Sequence, residues 1–346
     1  MNWTGPHRKL RAHGVPQMRR TGICLTALIM LVFVHVSRAD EIKCPDFYDN
    51  KLLSDAGDHY LLNTSIFYGW MNKEVPEDGS PSLSLHDRGH EMRKGLVDEL
   101  LRPCQTDRKA ENCGFKKVET GNVDGSQIVL ERAVLNKLGE PMTLKGKPLR
   151  LKITLTTVDH EQTTAIPDPG DPKYDKLAER WFARARKAVE QPGIVYIWSH
   201  ARIGAGPDPY PLDRSWKGKL NYVRGSWQKT NLRKILPEEK EAGVGAKVLA
   251  LATCSSEEYF GDYFADYFAS RPGDLLHKDG AAHFVGLTSR FFYDHEGHLA
   301  MRALIANFAS GGCYKELQDT MHNPPGYSQQ DAFHFIVYPD LRGSSQ

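Results

Sequence analysis

The sequence predicts an α/β fold, a mostly parallel sheet flanked by helices and preceded by a smaller α+β region. Three observations carry that prediction. Ile194–Trp198, Val248–Ala252 and Ala282–Leu287 are short runs of almost unbroken apolar residues, the pattern of strands covered on both faces. Helical stretches come before, between and after them, at Pro172–Glu190, Glu257–Ser270 and His298–Ala309. Strand and helix in alternation place helices on both sides of a parallel sheet.

Ahead of this part, residues 40–147 are mixed and turn-rich, as at Pro76-Glu77-Asp78-Gly79. A helix is predicted over Leu85–Leu101, where Met92, Leu96, Leu100 and Leu101 recur at helical spacing. Ile128–Leu135 and Leu149–Val158 read as strands; in the second, Leu151, Ile153 and Leu155 alternate with Lys152, Thr154 and Thr156. The expected division is a leader at 1–39, an N-terminal α+β region at 40–147, the α/β domain at 148–325 and a tail at 326–346.

The leader decides how the composition is read. The 346 residues carry 45 Lys+Arg and 43 Asp+Glu, a formal charge of +2. Residues 1–39 hold six basic residues and no acidic one, then an apolar run from Ile23 to Val36 and Ser37-Arg38-Ala39. Basic, apolar and small residues in that order form a secretory signal peptide. The run falls short of the ~20 residues that span a bilayer, so no permanent span is expected after cleavage. Export places the chain in the periplasm or outside the cell. Cleavage changes the formal charge to −4, which removes the hint of an anionic partner. No nucleic-acid stripe, phosphate loop or dinucleotide fingerprint is present, and no cofactor is implied.

Cleavage also leaves five cysteines, Cys44, Cys104, Cys113, Cys254 and Cys313. In an oxidising compartment an odd number sets at least one apart from the intrachain pairs. Cys104 and Cys113 are placed to close a loop, and Cys44 and Cys313 to tie the mature start to the late chain. Cys254 is then the thiol.

Two of the apolar strands end on reactive side chains. One delivers Ser199-His200-Ala201-Arg202 into the glycine-rich Gly204-Ala205-Gly206-Pro207-Asp208, the other Thr253-Cys254-Ser255-Ser256. Parallel neighbours bring both carboxyl ends to one edge, where ligands bind in such sheets. A thiolate nucleophile beside an imidazole acid is the pair that acyl transfer needs. Ser255 and Glu258 have capping-box spacing, which sets Cys254 at the positive end of a helix. The amides of Cys254 and Ser255, with those of the His200 loop, would form an oxyanion hole.

An apolar strand ending in His, then another ending in Cys 54 residues later, resembles the caspase–gingipain–legumain clan of cysteine peptidases. The stretch Trp198–Asp208 is also similar to a His-Ser-Arg-x-Gly-x-Gly-Pro-Asp loop of exported bacterial proteins that carry Cys-Ser-Ser downstream. The resemblance covers roughly Pro172 to Cys313. It implies a caspase-like domain, Cys254 as nucleophile, His200 as general acid and a peptide or protein substrate. Ala201, Arg202, Gly204, Gly206, Asp208 and Ser255 would line the oxyanion or substrate loop. Two positions depart from the clan: Ala201 replaces the usual Gly after the His, and Thr253 the Ala common before the Cys. The competing readings are a catalytically silent interaction domain and, more weakly, a metal-dependent hydrolase.

Other features have plainer readings. Tyr259-Phe260, Tyr263-Phe264 and Tyr267-Phe268 repeat every four residues and read as a helix face packed on the sheet. Neither His295 and His298 nor His86 and His90 completes a ligand set. Asn63-Thr64-Ser65 is a glycosylation sequon.

Overall fold

The computed structural model describes Tyr48 and residues 52–70, 88–105, 112–118, 125–159, 171–201, 206–210, 230–237, 245–269, 283–287, 294–322 and 334–338. All belong to the unit Ala39–Gln346. The expected leader and Cys44 lie outside them.

The described residues form a mixed sheet with helices. Its strands are β1 (Ser54–Asp55), β2 (Tyr60–Tyr68), β3 (Lys116–Lys117), β4 (Gln127–Ala133), β5 (Thr143–Leu144), β6 (Lys147–Thr156), β7 (Gly193–Trp198), β8 (Ala246–Ala252), β9 (His283–Leu287) and β10 (His334–Tyr338). The helices are α1 (Arg88–Leu101), α2 (Lys173–Val189), α3 (Leu232–Ile235), α4 (Ser256–Ala269), α5 (Asp294–Ala309) and α6 (Tyr314–His322). Across the sheet the order is β10-β9-β8-β7-β2-β6-β4-β3. The five strands from β9 to β6 are parallel, while β10 at one side and β4 and β3 at the other run antiparallel.

The expected α/β class thus describes the chain, but the early region is part of the same sheet. The 147/148 boundary falls at the first residue of β6, and β2 lies between β6 and β7. The segment read as a tail, 326–346, contributes β10, which pairs with β9 from His334↔Leu287 to Tyr338↔His283. Its run of β-branched and aromatic residues suits a strand.

Strand β7 is buried at every residue, and β8 likewise, because helices cover both faces. On one face Tyr68, Tyr196 and Trp198 pack with Met301, Leu304 and Phe308 of α5. On the other, Phe67, Val195, Ile197 and Leu251 pack with Trp181 and Phe182 of α2 and Phe260 and Phe264 of α4. Two polar ties lock these layers. The Trp181 indole donates to Tyr68 O at 3.0 Å, and the Tyr196 hydroxyl donates to Gly297 O at 2.8 Å.

Helix α2 shows why the sequence forms these elements. Leu177, Ala178, Trp181, Phe182, Ala185 and Val189 lie buried along one stripe. Asp171 Oδ1 accepts the Lys173 N–H at 2.9 Å, and Asp175 at the start with Arg186 and Lys187 at the end complements the helix dipole. The aromatic stripe of α4 follows the expected plan, with Phe260 and Phe264 fully buried and Tyr259, Tyr263 and Tyr267 packed at its margin.

Candidate functional site

The order β6-β2-β7-β8-β9 has its reversal between β2 and β7, since the chain leaves β2 for one side and returns on the other. In open α/β sheets, the crevice outside the carboxyl ends at such a reversal is where ligands bind. Three strand ends meet there, Tyr68-Gly69-Trp70, Trp198-Ser199-His200 and Ala252-Thr253-Cys254.

His200 and Cys254 each follow the carboxyl end of one of two neighbouring parallel strands. Trp198 pairs with Ala252 across the parallel β7–β8 ladder, and each reactive residue lies two positions beyond its member of that pair. The Ser199 N–H still reaches Ala252 O at 3.4 Å. Neighbouring strands are about 4.8 Å apart, so the two strand ends are adjacent at Trp198 and Ala252, and Cys254 lies in the turn that follows. Both are half-buried. Cys254 is present as a thiol and packs at the margin of the core beneath α4.

Ser255 makes the turn from β8 into α4. It adopts φ +48°, a left-handed conformation uncommon outside glycine, and its carbonyl accepts the Tyr259 N–H at 3.1 Å. The start of α4 is tied by the next residue, whose Ser256 hydroxyl donates to Leu251 O at 2.9 Å. Glu257 and Glu258 fill the first turn, where acidic side chains complement the helix dipole.

The His200 loop folds back on its own strand. His200 and Asp208 form an isolated antiparallel bridge, and the Gly206 N–H bonds Ala201 O at 2.8 Å. Asp208 is buried; its N–H donates to Ser199 Oγ at 3.3 Å, and its Oδ1 accepts the Tyr210 N–H at 2.9 Å. From outside, the Thr230 hydroxyl donates to Gly206 O at 2.8 Å and Asn231 Nδ2 to Pro207 O at 3.1 Å. The Gly206–Pro207 peptide within this clamp is cis. Arg202 and Gly204 lie outside the described residues, and Ala201 is buried in the core.

Sequence reasoning missed the β2 side of the crevice. The Gly69 N–H donates to Trp198 O at 2.7 Å, and a Cβ at Gly69 would stand 2.5 Å from Ser199 Cβ and 2.6 Å from Asp208 O. Trp70, fully buried, stacks edge-on against Tyr174 with ring centroids 5.8 Å apart. A Gly-Trp pair directly after an apolar strand was the available signal.

Cys104 and Cys113 form a disulfide, as expected from their spacing. Arg132, buried beneath it, donates to Cys113 O at 2.6 Å. Cys313 is also disulfide-bonded. No group of His, Cys, Asp and Glu able to hold a metal ion occurs among the described residues. His86 and the side chains of His90 and His295 lie outside them. His298 sits on α5, and burial, then the nearby Arg302, pushes its pKa down to about 4. No described helix is long and apolar enough to cross a membrane.

Compared with family models, curated proteins and solved structures, the chain matches none.

Proposed function

We propose that this chain is an exported thiol hydrolase, a cysteine peptidase of caspase-like architecture acting through Cys254 and His200. The observation that supports the reading is the Trp198–Ala252 pair at the carboxyl edge of parallel strands, from whose two members His200 and Cys254 each follow by two residues. In the mechanism, the Cys254 thiolate attacks a peptide carbonyl and the oxyanion forms against backbone amides at the β8–α4 turn. His200 protonates the departing amine, and water then releases the acyl group from sulfur. The Cys104–Cys113 disulfide supports an oxidising compartment, hence a periplasmic or extracellular location. The Tyr48 hydroxyl donates to Gly312 O at 2.6 Å. That contact brings the chain four residues after Cys44 beside Cys313 and supports the Cys44–Cys313 pairing.

Iodoacetamide labelling of the purified protein, with the modified cysteine mapped by mass spectrometry, tests the site. Cys254 is expected to label, and an inert Cys254 overturns the reading. A mixed peptide library then separates wild type from Cys254→Ala; equal cleavage by both removes Cys254 from the chemistry.

A further inference from the structure

Eight residues after His200 the chain returns to it. Residues directly opposite in an antiparallel bridge carry their side chains on one face, with Cβ atoms about 4.5–5.5 Å apart. The His200–Asp208 bridge therefore sets a carboxylate across from the imidazole, at a distance the two side chains can close. Asp208 is 3% exposed, and a carboxylate so buried is costly unless donors and cations surround it. The Tyr210 N–H on Oδ1 orients the group while using one of its roughly four acceptor sites. Lys234 of α3 is a second charged neighbour. Its own burial works against its charge, and Asp208, Glu179 and Asp175 all favour it. Its ammonium also lies 4.6 Å from the Phe182 ring centroid and 6.0 Å from that of Tyr210.

The backbone around Asp208 has little room to move. Gly69 sits against Asp208 O, and Thr230 and Asn231 hold the two residues before Asp208. A carboxylate held this way, opposite a histidine at the carboxyl edge of the parallel sheet, is arranged to orient the ring.

We propose that Asp208 is the positioning residue of His200: its carboxylate accepts one ring N–H, fixes the tautomer, and turns the other ring nitrogen toward Cys254. This rests on the Cys254–His200 reading and adds a third member to it. When the Cys254 proton passes to that nitrogen, thiol and imidazole become thiolate and imidazolium. Asp208 stays ionised and stabilises the imidazolium without taking the proton.

The test is an NMR titration of the His200 ring in wild type, Asp208→Asn and Asp208→Glu, with the pH profile of Cys254 alkylation by iodoacetamide followed in each. His200→Ala assigns the resonance. Removing an adjacent charge is expected to lower the His200 midpoint by about one pH unit or more, to move the alkylation profile with it, and to be partly reversed in Asp208→Glu. A purely structural Asp208 would leave the midpoint where it is, and that result in folded Asp208→Asn overturns the inference. Should Asp208→Asn fail to fold, wild type decides. A His200 midpoint above the ordinary value near ~6.5 supports the carboxylate partner, and a midpoint below it overturns that partner. A shifted midpoint with alkylation indifferent to His200→Ala supports the Asp208–His200 coupling and removes the peptidase reading. An unshifted midpoint with alkylation dependent on His200 overturns the inference and leaves the pair intact.

Discussion

Gly69→Ala is expected to weaken the fold and disturb the crevice together, because one missing carbon separates β2 from the His200 loop. A Cβ built there meets Ser199 Cβ at 2.5 Å, Asp208 O at 2.6 Å and Ser199 Cα at 3.2 Å. None of these atoms is the end of a flexible side chain. Carbon–carbon contact is comfortable at about 3.5–4.0 Å, so β2 or the loop must retreat by about 1 Å. Small-to-large changes in packed interiors cost about 1–3 kcal/mol. At roughly 2–4 °C per kcal/mol, Tm should fall by about 2–12 °C. Gly95→Ala is the control, since nothing lies within 4 Å of its Cβ. Gly95 is inside α1, where alanine gains about 0.5–1 kcal/mol over glycine, so its Tm should rise slightly. Circular dichroism melts read both, and iodoacetamide kinetics at Cys254 read whether the crevice moved. A Gly69→Ala melt that coincides with wild type, or that rises along with Gly95→Ala, refutes the packing argument.

Three further outcomes follow from the structure. Replacing Cys104 and Cys113 by Ser opens a nine-residue separation and should cost about 2–3 kcal/mol; guanidinium unfolding of the double variant measures it, and an unchanged midpoint contradicts it. His298 is held neutral, its pKa lowered from 6.5 to about 4 mainly by burial, so the unfolded chain takes up the proton first. Stability from this group is complete above about pH 6.5 and is lost as pH falls toward 4, by roughly 2–3 kcal/mol; His298→Gln should flatten that stretch of the Tm–pH curve. Asn63 lies in the central strand with its amide donating to Ser54 Oγ at 2.8 Å. Folded protein secreted from a eukaryotic host should therefore carry no glycan at the sequon, and an intact mass including one would contradict this.

What could be read in the sequence divides along a physical line. Strands β7, β8 and β9 were legible because burial on both faces removes polar residues and leaves an apolar run. Strand β2 lies between two parallel neighbours but reads Tyr-Leu-Leu-Asn-Thr-Ser-Ile-Phe-Tyr, with Asn63 and Ser65 only partly buried, and its polar centre hides it. Asn63 is compensated by Ser54 on β1, whereas Thr64, 1% exposed, keeps a buried hydroxyl without a hydrogen-bond partner. No local pattern announces such compensation, since it depends on which strands become neighbours. The same limit governs the site. That His200 and Cys254 end strands is local information, and their spacing made them candidates. That they follow paired ends of neighbouring strands depends on the Trp198–Ala252 pairing across 54 residues, which only the assembled sheet sets. Asp208 shows the limit most sharply. Its place after Gly206-Pro207 suggested a loop residue, while its bridge to His200 comes from a fold-back secured by Thr230 and Asn231, more than twenty residues downstream. Local chemistry therefore nominated the reactive groups, and long-range pairing decides which of them can act on one another.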